Sequence, residues 1–388
     1  MIKKFDILVV GSGPAGSAAA FTAASAGLSV ALIDKAAFPR DKLCGGGITG
    51  RCASALSQVF GQEITPDLFL TSQRVRLFSQ GALLADVRDA PPIHMTMRRD
   101  FDAVLHAQAK AAGAQVFAPA RIADLDPATG VARLGDGQIL QGQLIVGADG
   151  ANSIVARALY GKAQRYRDVA FGLEVELPRD TVDGDMVDID IGAVAWGYGW
   201  VFPKRGSVTV GVCGTHVRNP DMRAVLDRYA NQGPAMVRAL SSAQCKGAFL
   251  PTGWRLGAPG EGRVLLVGDA AGLVDPLTGE GIGWAIRSGE LAAQASIRAL
   301  GAGAPGAAIR HYAAEIRYVQ DEIRIAGRIA RLAYTRALRP IFARTVRDNP
   351  KMTRNALRLL AGQFDYQDFG LAFAGRITRR MGRAVLAR

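Results

Sequence analysis

A chain of 388 residues with 49% hydrophobic and 21% charged residues can bury a sizeable core, which excludes a disordered or fibrous protein and predicts two interleaved domains. The formal net charge of +13 is uneven: from Arg310 to Arg388, 17 lysines and arginines stand against 6 aspartates and glutamates. A basic region of this kind serves nucleic acid, anionic lipid or solubility, and charge alone does not choose among them.

Met1 to Val10 is basic and then apolar like a secretory signal, but its apolar part is short and runs straight into Gly11-Ser12-Gly13-Pro14-Ala15-Gly16. Phe5 to Val10 is therefore read as a first buried strand, Ala15 to Ala26 as a small-residue helix, and Ser29 to Ile33 as a second strand ending at Asp34. Together they make a βαβ unit. Gly11, Gly13 and Gly16 stand where a dinucleotide fold needs a tight turn, bare backbone beside pyrophosphate, and close helix–sheet packing. Asp34 is placed to accept ribose hydroxyls, and the helix N-terminus offers amides to the phosphates.

Lys35 to Gly50 is rich in turn formers, and its Cys44-Gly45-Gly46-Gly47 run predicts a loop whose backbone a flat or anionic group can approach. Arg98 to Ala112 reads as a helix, and Gln138 to Gly150 as a hairpin strand. Val169 to Leu177, Val187 to Ile191 and Ser207 to Cys213 alternate as β segments, predicting an inserted antiparallel sheet. A buried-strand pattern returns at Arg263 to Asp269, followed by a helix from Gly281 to Leu300, a linker from Gly301 to Gly306, and arginine-rich helices. No apolar run approaches the roughly 20 residues of a spanning helix, so no membrane anchor is expected. Cys44, Cys52, Cys213 and Cys245 match neither a zinc site nor a disulfide framework, which favours a reducing cytoplasm. His94, His106, His216 and His311 lack ligand spacing, so no metal site is expected.

Several separated segments resemble the flavoprotein family of aromatic hydroxylases and geranylgeranyl reductases. Arg98-x-x-Phe101-Asp102-x-x-Leu105 matches a family helix, Gly147-Ala148-Asp149-Gly150 a DG element, and Gly268-Asp269-Ala270-Ala271 a GD element, followed by Gly279-Glu280-Gly281-Ile282. The likeness implies FAD, with Arg98 near its phosphates, Asp269 on the ribityl chain, and the helix opening at Gly281 facing the pyrimidine end of the ring. A helix cap is the other reading of Asp269. Lys42-Leu43-Cys44-Gly45-Gly46-Gly47 and Tyr198-Gly199-Trp200-Val201-Phe202-Pro203 resemble elements of the geranylgeranyl reductase branch.

The implied fold is α/β: a Rossmann-type FAD-binding domain from segments 1–70, 95–165 and 260–305, an inserted antiparallel β-sheet substrate domain from 71–94 and 166–259, and a helical basic C-terminal region at 306–388. The implied cofactor-binding residues are Gly11, Gly13, Ala15, Gly16, Asp34, Lys35, Cys44, Gly45, Gly47, Arg98, Ile122, Asp149, Asp269, Gly281 and Ile282. The implied catalytic residues are Cys44, Tyr198 and Trp200. Two readings stand for Cys44, a proton donor beside the flavin or a small buried hydrophobe. Two stand for Trp200 and Phe202, a wall for an isoprenoid or ordinary sheet packing.

The expected reaction is saturation of prenyl double bonds on a lipid or pigment by FAD. Since only one dinucleotide fingerprint is present, NAD(P)H docks transiently or a reduced ferredoxin-like protein delivers electrons. The competing enzyme is an FAD monooxygenase or halogenase on the same fold. Nucleic acid is not expected as a partner. Ile325, Ile329, Leu332, Phe342 and Val346 alternate with Arg324, Arg328, Arg331, Arg344 and Arg347 at helical spacings. That stripe is either an amphipathic helix lying on the inner face of the membrane or one packed on the flavin domain.

Overall fold

The computed structural model describes residues 1–161, 169–182, 184–232, 244–253, 256–361, 363 and 365–367. The remaining positions of the expected substrate and C-terminal segments, 368–388 among them, lie outside the described residues.

The first strand, Ile2–Val10, lies at the centre of a largely parallel sheet because its last residues are apolar on both faces. It is flanked on one side by Val30–Ile33 and then Gln115–Phe117, and on the other by Ile139–Gly147 and then Val264–Leu266. A meander, Ile122–Asp126 and Val131–Leu134, hangs antiparallel from Ile139–Gly147. The sheet thus joins the first 147 residues to a segment that returns at Val264–Leu266.

Two helices cover one face, Pro14–Ser25 and Ile282–Gly301. The first is built of small residues for a packing reason: a Cβ at Gly289 would sit 2.1 Å from the Ala15 carbonyl oxygen, so the helices cross almost backbone on backbone. That crossing brings the start of each helix to the same region of the molecule.

The second sheet has seven strands in the order Lys246–Leu250, Ala170–Pro178, Ser207–Thr215, Gly197–Pro203, Val187–Ile191, Val75–Ser79 and Ala82–Val87. It departs from the expected antiparallel sheet in one place, because Val187–Ile191 runs parallel to Val75–Ser79. The two segments come from separate excursions of the chain, so no hairpin dictates their direction. Arg76 and Asp188 lock this pair with hydrogen bonds of 2.7 and 2.6 Å. A small third sheet pairs Ile93–Met95 with Gly47–Ile48 and Leu70–Ser72, so the glycine run is a loop only as far as Gly46.

After a turn at Pro305–Ala307, helices Ala308–Glu315, Arg317–Tyr334, Arg339–Arg347 and Pro350–Leu360 complete the described chain. Ile329 and Val346 are buried and Ile325, Leu332 and Phe342 are partly buried, while Arg324, Arg328, Arg331, Arg344 and Arg347 are exposed. The apolar stripe therefore packs inward, which removes it as a membrane-inserting face and leaves only its basic exterior to solvent. Among the described residues no helix is long and apolar enough to cross a membrane.

Candidate cofactor and substrate site

One cavity of about 980 Å³ runs between the helix starts and the face of the second sheet. It is lined by every sequence-predicted site residue except Gly16. Gly16 has a different task. A Cβ there would lie 1.7 Å from the Gly11 carbonyl oxygen, so its bare Cα lets the helix sit on the turn.

At one end the turn from Gly11 to Gly13 leads into Pro14–Ser25, whose opening amides at Ala15 and Gly16 have no acceptor within the helix. A Cβ at Gly13 would meet nothing closer than Arg40 Nη2 at 3.6 Å, so the backbone is laid bare to the cavity. Asp34 closes this end: its Oδ2 accepts from the Ser12 amide at 2.8 Å and its Oδ1 from the Ala36 amide at 3.0 Å. Bare backbone, free helix amides and a carboxylate at the end of the second strand are the groups that a dinucleotide's pyrophosphate and ribose require, so FAD fits the residues present.

Further along, Gly281 caps Ile282–Gly301 with no side-chain hydrogen bond, leaving the first amides of that helix free toward the cavity. Asp269 lies in the turn Gly268–Ala271, with Oδ1 3.5 Å from where a Cβ of Gly281 would sit. Glu280 beside it is half-buried, and desolvation pushes its carboxyl up to about 7 against the hydrogen bond from Thr49 Oγ1 at 2.6 Å. Asp149 lines the cavity but its carboxylate is engaged by Ser153 Oγ at 2.5 Å and the Ile154 amide at 2.6 Å, holding the start of helix Ile154–Tyr160.

Arg98 is buried and clamped to Asp102 by bonds of 2.7 and 2.8 Å. Burial lowers its proton affinity, but Asp102 and then Cys44 more than offset this and raise it above the ordinary arginine value. Arg98 thus lies against the Cys44 thiol. Arg40, which sequence reasoning passed over, bridges Asp102 at 3.4 Å and Asp34 at 4.0 Å.

The Cys44 loop rests on the strand Gly197–Pro203. Tyr198, Trp200 and Phe202 project to one face at strand period, and a Cβ at Gly45 would be 2.8 Å from Phe202 and 3.2 Å from Trp200 Nε1. Tyr198 donates from its hydroxyl to the Thr278 carbonyl at 2.7 Å, tying the aromatic strand to the Glu280 turn. Two residues missed in the sequence complete this floor. Glu174 Oε1 accepts the Cys44 amide at 3.1 Å, and burial pushes its carboxyl up to about 7, with Lys204 drawing it down and Glu176 pushing it up. Cys213 lies beside Tyr198 in the strand register, its thiol raised by burial to about 12 and so inert as a nucleophile.

Beyond the loop the wall becomes apolar. Leu77, Ile189 and Phe202 from the second sheet face Ile329, Phe342, Val346 and Leu357 from the C-terminal helices. Tyr366 joins this wall and anchors it, donating from its hydroxyl to Asp275 at 2.5 Å while its amide reaches Glu322 at 2.7 Å.

The βαβ cradle, the second helix start and a flanking sheet define an FAD-dependent oxidoreductase. An FAD binding domain model matches residues 4–188. The chain is 31% identical over 316 residues to menaquinone reductase of Mycolicibacterium smegmatis, covering 76% of each chain. It is 30% identical over 329 residues to digeranylgeranylglycerophospholipid reductase of Thermoplasma volcanium, covering 77% of this chain and 79% of that one. Among solved structures, a geranylgeranyl bacteriochlorophyll reductase-like protein of Thermoplasma acidophilum superposes with a TM-score of 0.74 at 24% identity, over 90% of this chain and 93% of that one. The flavin-dependent brominase Bmp2 shares the fold with a TM-score of 0.74 at 18% identity, over 98% and 100% of the chains. The chain belongs to the geranylgeranyl reductase family of FAD-dependent oxidoreductases.

Proposed function

We propose that this enzyme saturates carbon–carbon double bonds of a geranylgeranyl or related prenyl group carried on a lipid or pigment. The observation that carries the reading is the continuity of the site: the dinucleotide groove opens past Cys44 into a chamber lined by Leu77, Ile189, Phe342, Val346 and Leu357. A long hydrocarbon gains free energy there at about 25 cal/mol per Å² of apolar surface it removes from water. Relatives named for reduction of a digeranylgeranyl glycerophospholipid and of menaquinone support the same class.

When bound, FAD supplies the two reducing electrons. Gly11, Gly13 and Ala15 would hold its pyrophosphate, Asp34 its ribose, and the amides at Gly281 and Ile282 would stabilise negative charge on its ring. Lys35, Gly45, Gly47, Ile122, Asp149 and Asp269 line the same space. Trp200 and Tyr198 form the floor that orients the prenyl chain, and Cys44 gives a proton to the neighbouring carbon, its thiolate then held by Arg98. NAD(P)H or a reduced ferredoxin-like protein delivers the electrons.

The test is anaerobic. FAD-loaded protein with dithionite and a geranylgeranyl lipid is expected to yield product heavier by two hydrogens per reduced bond, read by mass spectrometry. Oxygen-dependent hydroxylation or halogenation, with no anaerobic product, would overturn the reading. Parallel assays with NADPH and with reduced ferredoxin separate the two donors.

The same reading places the enzyme at the inner, cytoplasmic face of a membrane, held by the exposed arginines of the C-terminal helices rather than by inserted side chains. Each basic residue near an anionic leaflet contributes about 1 kcal/mol, so binding to anionic liposomes at low salt and release at high salt are expected in co-sedimentation. Equal, negligible pelleting with anionic and neutral vesicles would rule attachment out.

A further inference from the structure

Beneath the Cys44 loop, the second sheet carries charged groups to which the reading above gives no role. Glu174 and Glu176 stand two apart on Ala170–Pro178 and so share a face. The register sets Glu174 beside Gly211 and Gly211 beside Trp200. A Cβ at Gly211 would lie 2.2 Å from the indole, so Trp200 leans over that glycine in the same row as Glu174.

Glu174 is 6% exposed, and while its Oε1 takes the Cys44 amide, its Oε2 is buried with no partner among the described residues. Burial without a partner costs such an oxygen more in a charged carboxylate than in the neutral acid. Lys204, only 2% exposed, donates to Glu176 Oε2 at 3.3 Å. Glu176 also accepts from Thr209 Oγ1 at 2.7 Å and from Ser207 Oγ, and its side chain is 34% exposed. Cys44 is thus tied to Glu174 through its amide, and Lys204, whose charge acts on Glu174 without a hydrogen bond to it, bonds in turn the partly exposed Glu176.

We propose that Glu174 is a relay residue that returns a proton to the Cys44 thiol, supplied from solvent by way of Lys204 and Glu176. The proposal rests on the reading in which Cys44 protonates the substrate. In each turnover the S–H bond of Cys44 breaks and a C–H bond forms. The resulting thiolate takes the proton from the Glu174 carboxyl, which the Cys44 amide holds beside the loop, and the Glu174 carboxylate regains one from water by way of the lysine and the outer glutamate. No electrons pass along this line; both belong to the cofactor's half of the reaction.

The charged groups facing Glu174 are Lys204, Glu176 and Lys246, and those about Cys44 are Arg98 with its partner Asp102 and the buried Cys52. With its carboxyl held at about 7, Glu174 is neutral below that pH and anionic above it, where its charge disfavours the Cys44 thiolate. Glu174→Gln keeps an acceptor for the Cys44 amide but cannot ionise. Alkylation of Cys44 by iodoacetamide, followed against pH with peptide mass spectrometry to separate it from the other cysteines, is expected to run about threefold faster in the variant at pH 8. Repeated prenyl reduction is expected to fall about tenfold, with the first turnover preserved.

Superimposable alkylation profiles with unchanged turnover would overturn the relay. If Glu174→Gln does not fold, Lys204→Met serves instead: removing the ammonium raises the proton affinity of Glu174, so the inflection must move to higher pH, and an unmoved inflection overturns the proposal. A wild type inactive on prenyl substrates but with alkylation still coupled to Glu174 would sink the proposed reaction and leave the proton link standing. An active wild type without coupling would sink the relay alone.

Discussion

Gly13→Val is expected to abolish FAD binding while leaving both sheets folded. Gly13 is extended, with φ −75° and ψ −172°, so valine meets no backbone penalty there. Its side chain would point into the cavity, where the nearest atom is Arg40 Nη2 at 3.6 Å from the Cβ position, and would occupy the space that brings pyrophosphate onto the helix amides. A loss of at least about a hundredfold in affinity follows, because an overpacked site costs about 1–3 kcal/mol and the phosphate's hydrogen bonds to the amides are lost as well. Stability of the FAD-free protein is expected to stay within about 0.5 kcal/mol of wild type. Gly16→Ala makes the contrast. Its Cβ would be driven to 1.7 Å from the Gly11 carbonyl, so that variant is expected to lose thermal stability before cofactor affinity is even asked. Flavin content by visible absorbance and melting by scanning fluorimetry separate the two outcomes. A yellow, fully loaded Gly13→Val protein would sink the assignment of this groove.

Why these glycines were legible in the sequence, and other parts of the site were not, has a physical basis. The cradle is local: strand, turn, helix and acidic strand end are consecutive, so spacing alone positions Gly11, Gly13, Gly16 and Asp34. The helix start at Gly281 was legible for the same reason. The parallel pairing of Val187–Ile191 with Val75–Ser79 is not local, and an alternating strand announces its two faces without naming its neighbour.

The C-terminal helices show the same limit. Periodicity marks Ile329, Phe342 and Val346 as one apolar side, but only the tertiary fold shows that this side closes the cavity. Glu174 was invisible for a further reason. On its strand Val175 and Leu177 face the core of the second sheet, so Gly172, Glu174 and Glu176 read as the solvent side. The distant Cys44 loop covers that side and converts one ordinary glutamate into a buried acid. Asp149 carries a second task that its Gly-Ala-Asp-Gly setting does not announce: it lines the cavity, and its carboxylate also secures the start of a helix.

Cys44→Ser is expected to depress prenyl reduction by about 10²- to 10⁴-fold, the range for loss of a positioned general acid, while FAD affinity stays near wild type. The split follows from what Cys44 touches. Its amide is held by Glu174 and its sulfur accepts the Gly46 amide at 3.4 Å, so serine preserves the loop's hydrogen bonding. None of these contacts belongs to the Gly11–Gly13 cradle or to Asp34, which carry the dinucleotide. What changes is acidity: a thiol near pH 7 gives up its proton far more readily than a serine hydroxyl, and the thiolate left behind is compensated by the Arg98 guanidinium that Asp102 holds in place. The measurement is single-turnover reduction of a geranylgeranyl lipid under anaerobic conditions, paired with an FAD titration of the same preparations. A Cys44→Ser variant that reduces the lipid at the wild-type rate would make the thiol a packing group and remove the proton donor on which both the mechanism and the relay depend.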